Sequence, residues 1–177
     1  TYSFKYLMKL DWNINDKNKF SLRYNSLVSR RDVLASNSGV FSGGRNGTVN
    51  ALNFANNNYI INNNLNSIIG ELNTNISKSL FSSFQVGYTA NRDFRGSGGG
   101  IFPLVDIMEA GQTYTSFGYE PFSFGNLRQV KTYSLIDNFS WTKNNHNWTI
   151  GGQIDYSQTI NGFQRFATSY YVFNTWS

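Results

Sequence analysis

The chain has 177 residues, a net charge of +5 at pH 7, 14% charged residues, 17% aromatic residues and no cysteine. The lack of cysteine excludes a disulfide framework and a thiolate metal site, and no run reaches the ~18 apolar residues of a membrane-spanning helix. Lys and Arg are dispersed among Asn, Ser and Gly rather than clustered, which argues against a nucleic-acid partner.

The first predicted element is a β-hairpin at the start of the chain. Apolar and polar residues alternate from Tyr2 to Trp12, a turn follows at 15–17, and the alternation resumes at Phe20. A period of two places the two classes on opposite faces of a sheet. The register that the turn sets pairs apolar residues across the strands, namely Trp12 with Phe20, Leu10 with Leu22, and Met8 with Tyr24.

A long polar loop is predicted next, near 32–62, where the alternation is lost and Gly, Asn and Ser dominate, as in 43–47. A third strand is predicted near 66–77. A short turn at 78–79 leads to a fourth strand, which contains the alternating segment 83–89.

A second long loop is predicted near 95–130, and its central part is rich in aromatic residues. Exposed aromatic clusters often mark binding surfaces. The same residues are equally suited to packing the loop onto its neighbours, so both interpretations stay open. The external-loop binding candidates are Tyr114, Phe117, Tyr119, Phe122 and Phe124.

The clearest predicted element is a hairpin over 133–156 that turns at Asn144-Asn145, because Asn tolerates the positive φ of a type I′ turn. One face is apolar with aromatic residues at both ends. Its span from Trp148 to Tyr156 is about 20 Å of height at a ~40° tilt, which approaches the ~25 Å apolar band of a transmembrane β-barrel. The pairs on this face are Trp141 with Trp148, Phe139 with Ile150, Leu135 with Ile154, and Tyr133 with Tyr156.

The connections between strands differ in length on the two sides of the predicted sheet. The turns near 16, 79 and 145 are short, whereas two of the three connections on the other side are long. After a shorter connection at 161–162, a seventh strand is predicted near 166–176. Short turns at one rim and long loops at the other are typical of outer-membrane barrels. The predicted fold class is therefore all-β, an antiparallel up-and-down transmembrane β-barrel segment that occupies 1–177 as one partial domain in the bacterial outer membrane.

The alternation assigns residues to the two faces of this predicted wall. Polar residues on the inward face suit either a path for a polar or anionic solute or, as we favour, a mixed-charge wall that hydrates the lumen. The lumen-facing candidates are Lys5, Lys9, Asp11, Arg23, Glu71, Gln85 and Asp155. The predicted lipid-facing girdle consists of Trp12, Phe20, Tyr133, Trp141, Trp148 and Tyr156.

Asp137 does not fit this scheme, because it falls on the outward face in the middle of the apolar band. A lipid-facing carboxylate is unfavourable, although less so than the roughly 2–4 kcal/mol of Lys or Arg at the midplane. A bulge, a partner protein or a different strand assignment would each account for it.

Catalytic motifs are not found. His146 is the only histidine, which leaves a triad or a multi-histidine metal site without its usual members. The glycine-rich segment 96–100 matches neither the Rossmann fingerprint nor the P-loop. We therefore expect no enzymatic activity, no cofactor and no bound metal.

Several stretches resemble the barrel of Bacteroidetes-type TonB-dependent receptors, particularly the Oar-like branch. They are KLDWNINDKNKFSLRY at 9–24, NSIIGELN at 66–73, FPLVDI at 102–107, YEPFS at 119–123, and DNF at 137–139 continuing to TIGG at 149–152.

The resemblance implies a barrel of about 22 strands with an N-terminal plug, energised by the TonB complex. Such receptors import scarce solutes such as metal chelates, glycans or peptides, and Oar-like members also have surface and secretion roles. The implied partners are outer-membrane lipid, the rest of the barrel, its plug domain, the TonB complex through a missing N-terminal part, and a surface lipoprotein or other envelope protein. About seven strands are too few to close such a barrel, so we expect the chain to be a section of a larger wall.

Two alternatives remain at this stage. The first is a self-contained barrel of about eight strands with a structural or adhesive role. The second is a soluble β-sandwich carbohydrate-binding module, which requires Trp12, Trp141 and Trp148 to be buried against a second sheet.

Overall fold

The structure is a computed structural model that describes residues 1–35 and 51–176. Within these ranges the chain is almost entirely β-structure, with one 3-10 turn at Ala55–Asn57. None of the described helical segments has the length and apolar character of a membrane span. The strands are β1 Tyr2–Asn15, β2 Asn18–Val33, β3 Leu52–Asn53, β4 Tyr59–Asn75, β5 Leu80–Ser97, β6 Leu104–Glu109, β7 Gln112–Phe117, β8 Leu127–Lys143, β9 His146–Gly162 and β10 Tyr170–Phe173.

Six long strands form one antiparallel sheet in the order β1-β2-β4-β5-β8-β9, which we call the wall sheet. Each strand pairs with the next long strand in the chain, as in an up-and-down barrel. The predicted position of the turn at Asn144-Asn145 is confirmed, but its predicted type I′ geometry is not, because Asn144 has a positive φ of 54° and Asn145 does not have a positive φ. In the first turn, Asn15 Oδ1 accepts hydrogen bonds from the Lys17 and Asn18 amides at 3.0 and 2.9 Å.

The predicted registers of both hairpins are confirmed. Trp12 lies opposite Phe20 in the first hairpin, and Trp141 lies opposite Trp148 in the second. Because a slip of one residue would move every side chain to the other face, these registers fix which residues share a surface. The row through the middle of the apolar face is Leu10, Leu22, Gly70, Val86, Leu135 and Ile154, one residue from each strand.

Within residues 1–35 and 51–176, nothing covers the middle of the apolar face of the wall sheet. Val86 and Leu135 are 52% and 41% exposed although strands flank them on both sides. On the opposite face, Ser21 and Ser67 are each only 7% exposed. A soluble sheet would hide the apolar side, so this exposure indicates that the face meets a solvent other than water.

The soluble β-sandwich alternative is therefore wrong. It requires the tryptophans of the wall to be buried, but Trp12 is 59% exposed and Trp148 is 54% exposed. Trp141 is exposed as well. Among the described residues, the buried apolar side chains are Leu104, Val105 and Met108, which lie outside the wall sheet.

The predicted bounds of the long loops are also wrong. The first loop, predicted near 32–62, is shorter because β2 continues to Val33 and β4 already begins at Tyr59. The second, predicted near 95–130, spans only 98–126. Segment 59–65 is rich in Asn, which has low β propensity, but cross-strand hydrogen bonds on both sides hold it in the sheet. The glycine-rich segment 43–47 lies outside the described residues.

The long connections contain a second sheet, in the order β10-β6-β7-β3, which we call the rim sheet. β6 and β7 form an antiparallel hairpin, whereas β3 pairs in parallel with β7 and β10 in parallel with β6. The predicted seventh wall strand near 166–176 is therefore wrong, since its only strand, β10, belongs to the rim sheet. The wall sheet has six strands in the part of the chain that the structure describes.

Candidate functional site

The seven lumen-facing candidates all lie on the polar face of the wall sheet. Six of them occupy two adjacent rows across the strands, and Lys5 lies further along β1 towards the rim sheet. One row contains Asp11, Ser21, Glu71, Gln85, Ile136 and Gln153, and the next contains Lys9, Arg23, Ile69, Gly87, Ser134 and Asp155.

Charges in these rows are paired with each other. Lys9 Nζ lies 2.9 Å from Asp11 Oδ2, and Arg23 Nη2 lies 3.8 Å from Glu71 Oε2. The Ser21 hydroxyl also donates to Asp11 Oδ1 at 2.5 Å. Exposed ion pairs contribute only about 0–1 kcal/mol to stability. Their effect is therefore to present a hydrated surface with little net charge, as the mixed-charge interpretation predicts.

Asp155 and Gln85 do not take part in these ion pairs. The Gln153 amide donates to Asp155 Oδ2 at 2.7 Å, so the carboxylate is hydrogen-bonded by its own strand. Gln85 lies between Glu71 and Ile136 in its row and is half-buried.

A further ion pair on this face was missed by sequence reasoning. Arg128 Nη1 lies 3.7 Å from Asp93 Oδ2, and the Asn63 amide donates to Asp93 Oδ1 at 2.9 Å. Arg128 fell inside the loop predicted near 95–130, and Asn63 lay at the edge of the other predicted loop. The alternating pattern is too weak at these strand ends to predict the ion pair from the sequence. Only the pairing of the strands in the structure reveals it.

The residues of the predicted girdle all lie on the apolar face, and those of the second hairpin lie at its two ends. The rings of Trp141 and Trp148 are 6.1 Å apart and nearly parallel. The rings of Tyr133 and Tyr156 are 6.3 Å apart, at the other end of the same hairpin. At the first hairpin Trp12 lies opposite Phe20, in the row adjacent to the central one.

The aromatic residues of the second long connection pack mainly against other rings. Phe117 lies between Phe54 and Phe102, with ring centroids 6.1 and 6.2 Å away. Tyr119 contacts Phe124 at 6.1 Å. Phe122 contacts Phe166 at 5.7 Å, and Tyr114 contacts Trp176 at 5.9 Å. These contacts favour the packing interpretation for Phe117 and Phe122, while Tyr114 and Phe124 remain exposed at 49% and 38%.

The rim sheet contains a buried polar network that sequence reasoning missed. Asp106 is fully buried, and its carboxylate accepts hydrogen bonds from the Ser116 hydroxyl and, at 2.8 Å, from the Tyr170 hydroxyl. The Asn57 amide donates to Ser116 Oγ at 2.9 Å. Because Asn57, Asp106 and Tyr170 come from three separate segments, the network ties the loops together.

A second buried carboxylate closes a turn beside the rim sheet. Glu120 is 1% exposed, and its Oε2 accepts hydrogen bonds from the Phe122 amide at 3.0 Å and from the Ser123 hydroxyl at 2.5 Å. The segment YEPFS at 119–123 contributed to the family resemblance, but it did not predict that Glu120 is buried. Burial depends on segments that are distant in sequence.

Within 1–35 and 51–176, no three His, Asp or Glu side chains are grouped as metal ligands. His146 is exposed at the start of β9, with its ring 6.4 Å from that of Trp148.

Comparison with known proteins places this geometry in a family. A family model described as an outer membrane beta barrel domain matches residues 1–177. The chain belongs to this family. No curated protein and no solved structure gives a significant match. The chain is accordingly a β-barrel protein of the bacterial outer membrane, and the exposed apolar face of its wall sheet contacts membrane lipid.

Family membership orients this outer-membrane barrel domain. Barrels of this kind have short periplasmic turns and longer extracellular loops. On this general pattern we expect the turns after β1, β4 and β8 to be periplasmic and the rim sheet to be extracellular.

Asp137 lies on the lipid-facing surface of the barrel domain, midway between Trp141 and Tyr133. The ladder through β8 is regular on both sides, so a bulge does not explain the position. The Ser82 hydroxyl donates to Asp137 Oδ1 at 3.4 Å, and Gly152 lies opposite in β9 with nothing within 4 Å of an added Cβ. The account of this face as uniformly apolar is therefore incomplete.

Proposed function

We propose that the chain is part of the barrel wall of a TonB-dependent outer-membrane receptor for energised uptake, or surface handling, of a solute. The observation that carries the proposal is the open wall sheet. The sequence resemblance to such receptors supports it, as do the polar inner surface and the folded extracellular loops.

The two edges of the wall sheet require further strands. β1 has 14 residues and β9 has 17, and within the described ranges these strands do not pair with each other. Unpaired backbone groups are very unfavourable in hydrocarbon, and bacterial barrels close with at least about eight strands. Six strands therefore fit a sector of a larger barrel. We propose that this barrel has about 22 strands and a plug domain in its lumen, as the sequence resemblance implies.

The polar face suits contact with such a plug or with a hydrated solute path. Its paired charges leave many amide and hydroxyl groups exposed to water, as in the hydrogen-bonded pairs Thr132–Ser157 and Ser140–Thr149. We assign solute contact on the outside to the exposed rings Tyr114 and Phe124. A surface lipoprotein or another envelope protein would use the same extracellular side.

We propose no catalytic role for this segment. His146 lies at a periplasmic turn, and the carboxylates of the polar face are engaged with neighbouring Lys, Arg, Ser, Asn or Gln side chains. This is the arrangement of a wall rather than of an acid–base pair.

Cysteine cross-linking tests whether β1 and β9 pair. The chain has no cysteine of its own. In the protein as it occurs in the outer membrane, Asp11→Cys is combined in turn with Gln153→Cys, Asp155→Cys or Ser157→Cys. A sector of a large barrel keeps β1 and β9 apart, so no intrachain disulfide is expected. The positive control is Ser140→Cys with Thr149→Cys, whose hydroxyl oxygens are 2.9 Å apart. Efficient cross-linking between β1 and β9 would instead mean that the six strands close on themselves, and it would contradict the proposal.

Energised uptake is tested genetically. Deleting the gene and inactivating TonB should each abolish uptake of the same solutes from a panel of metal chelates, oligosaccharides and peptides. Uptake that depends on the gene but continues without TonB would contradict the proposal.

A further inference from the structure

A basic patch lies on the lipid-facing surface of the wall sheet, at its extracellular end. It consists of Arg92 on β5, Lys131 and Gln129 on β8, and Gln158 on β9. Arg92 lies opposite Gln129 and Lys131 lies opposite Gln158 in the ladders. Arg92 and Lys131 are therefore diagonal neighbours on the same face, with Cα atoms about 7–8 Å apart.

The height of the basic patch places it at the level of lipid headgroups. The row immediately below, towards the membrane, is Tyr88, Tyr133 and Tyr156, in which neighbouring ring centroids are 5.0 and 6.3 Å apart. Tyrosine is enriched at the membrane–water interface. Lys131 and Gln158 are two residues beyond this row, which is about 7 Å along the strands.

The cations of the basic patch have no acidic partner in the described part of the chain. Lys9, Arg23 and Arg128 on the polar face each form an ion pair, whereas Lys131 and Arg92 form none. The Arg92 guanidinium lies 4.8 Å from the Phe94 ring centroid, which leaves its N–H groups available. Two neighbouring like charges repel each other, so this arrangement is unfavourable unless an anion lies between them.

A concavity accompanies the charges. It has a volume of about 270 Å³ and is lined by Gln129, Lys131, Gln158 and Ile160. Its lining residues are one that carries an ammonium group, two that carry amides, and Ile160, which is 60% exposed. Because Ile160 lies in the same row as Gln129 and Arg92, the concavity is at the height of the cations rather than of the apolar band below them.

We propose that the basic patch binds a phosphate group of an outer-leaflet lipid. The Arg92 fork and the Lys131 ammonium supply charge-assisted hydrogen bonds to the phosphate oxygens, and the glutamine amides add neutral donors. The acyl chains then descend over Tyr133, Tyr156 and Ile154 along the apolar band. Membrane lipid is the occupant because this face is exposed to lipid rather than to the lumen, and because phosphate complements the two unpaired cations.

The test uses the protein purified in detergent from outer membranes, with bisphosphorylated lipid A as the probe and native mass spectrometry as the readout. Arg92→Gln and Lys131→Gln should each weaken binding about fivefold, and the double variant about 25-fold. The reason is that each cation contributes to the binding free energy about as much as a basic residue near an anionic membrane surface. Arg92→Lys should retain most of the binding because it keeps the charge. Dephosphorylated lipid A should bind the wild type no more tightly than bisphosphorylated lipid A binds the double variant.

The control variant is Lys143→Gln, which removes a cation from the same face at the periplasmic end. It should leave lipid A binding unchanged. Heat-modifiable migration on gels reports whether each variant is folded. Equal binding by the wild type and the folded double variant would overturn the proposal. Equal binding of phosphorylated and dephosphorylated lipid, or full displacement by millimolar inorganic phosphate, would overturn it as well.

Discussion

At the residue scale, charged side chains have different neighbours on the two faces of the wall sheet. On the polar face, charged groups such as Arg23 and Glu71 lie close to partners of opposite sign. On the lipid face, Asp137 has a hydroxyl as its neighbour in the wall sheet, from Ser82 at 3.4 Å. A charge that water does not solvate requires a partner or raises the free energy of the folded barrel.

Replacing Asp137 by Leu should therefore stabilise the protein in a bilayer by about 1–2 kcal/mol, since the penalty for Asp is smaller than that for Lys or Arg. Urea unfolding in lipid vesicles, followed by tryptophan fluorescence, measures the change. Asp155→Leu is the matched control on the polar face and should give no stabilisation. A loss of stability in Asp137→Leu would indicate that the carboxylate binds a partner within the membrane.

Asp106 has the opposite role, because it is buried in protein and hydrogen-bonded to Ser116 and Tyr170. Asp106→Ala leaves both hydroxyls without this acceptor and should destabilise the rim sheet locally by about 3 kcal/mol. Hydrogen exchange of the β6 and β7 amides measures the loss of protection. Glu109→Ala, at an exposed position of the same strand, should leave the exchange unchanged. Unaltered protection in Asp106→Ala would show that the network does not stabilise the loops.

At the element scale, the described parts of the long connections (51–58 and 98–126) are folded structures rather than polar tails. Gly118 is central to this, because it has a φ of 109° and packs directly against the Pro103 carbonyl and Leu104. A side chain at this position would meet the backbone of the segment that leads into β6. The rim sheet therefore depends on a glycine that no periodic pattern identifies.

Gly118→Ala should disrupt the rim sheet while leaving the wall intact. Chymotrypsin added to intact cells should cleave the extracellular segments of this variant much faster than those of the wild type. Gly100→Ala is the control, since an added Cβ there meets nothing within 4 Å. Equal cleavage of both variants would contradict the importance of the close approach at Gly118.

At the scale of the whole molecule, the wall separates two solvents. Lys9 and Leu10 are neighbours in β1 whose side chains lie on the polar and the apolar face respectively. Lys9→Cys should react with a charged, water-soluble thiol reagent, and Leu10→Cys only with a lipid-soluble one. Labelling in native outer-membrane vesicles, read by mass spectrometry, checks this. Reaction of both cysteines with the charged reagent would contradict the lipid-facing assignment.

Much of the wall could be predicted from the sequence. Each hairpin combines a short turn with a period of two, and these local signals fix the register, as in the pairs Trp12–Phe20 and Trp141–Trp148. The apolar face with aromatic residues at its ends predicted the membrane environment. Segment 59–65 was the exception, because its asparagines mask a strand that only its neighbours stabilise.

The sequence by itself determined the fold class, the faces of the residues in the two predicted hairpins and the membrane environment, since alternation and turn chemistry are local properties of the chain. The tertiary structure alone decided the rim sheet, the burial of Asp106 and Glu120, and the diagonal placement of Arg92 and Lys131 on one face. Parallel pairing such as that of Leu52 with Thr115 joins residues far apart in sequence. No local pattern specifies such a contact, because its stability arises only after the intervening strands have brought the two segments together.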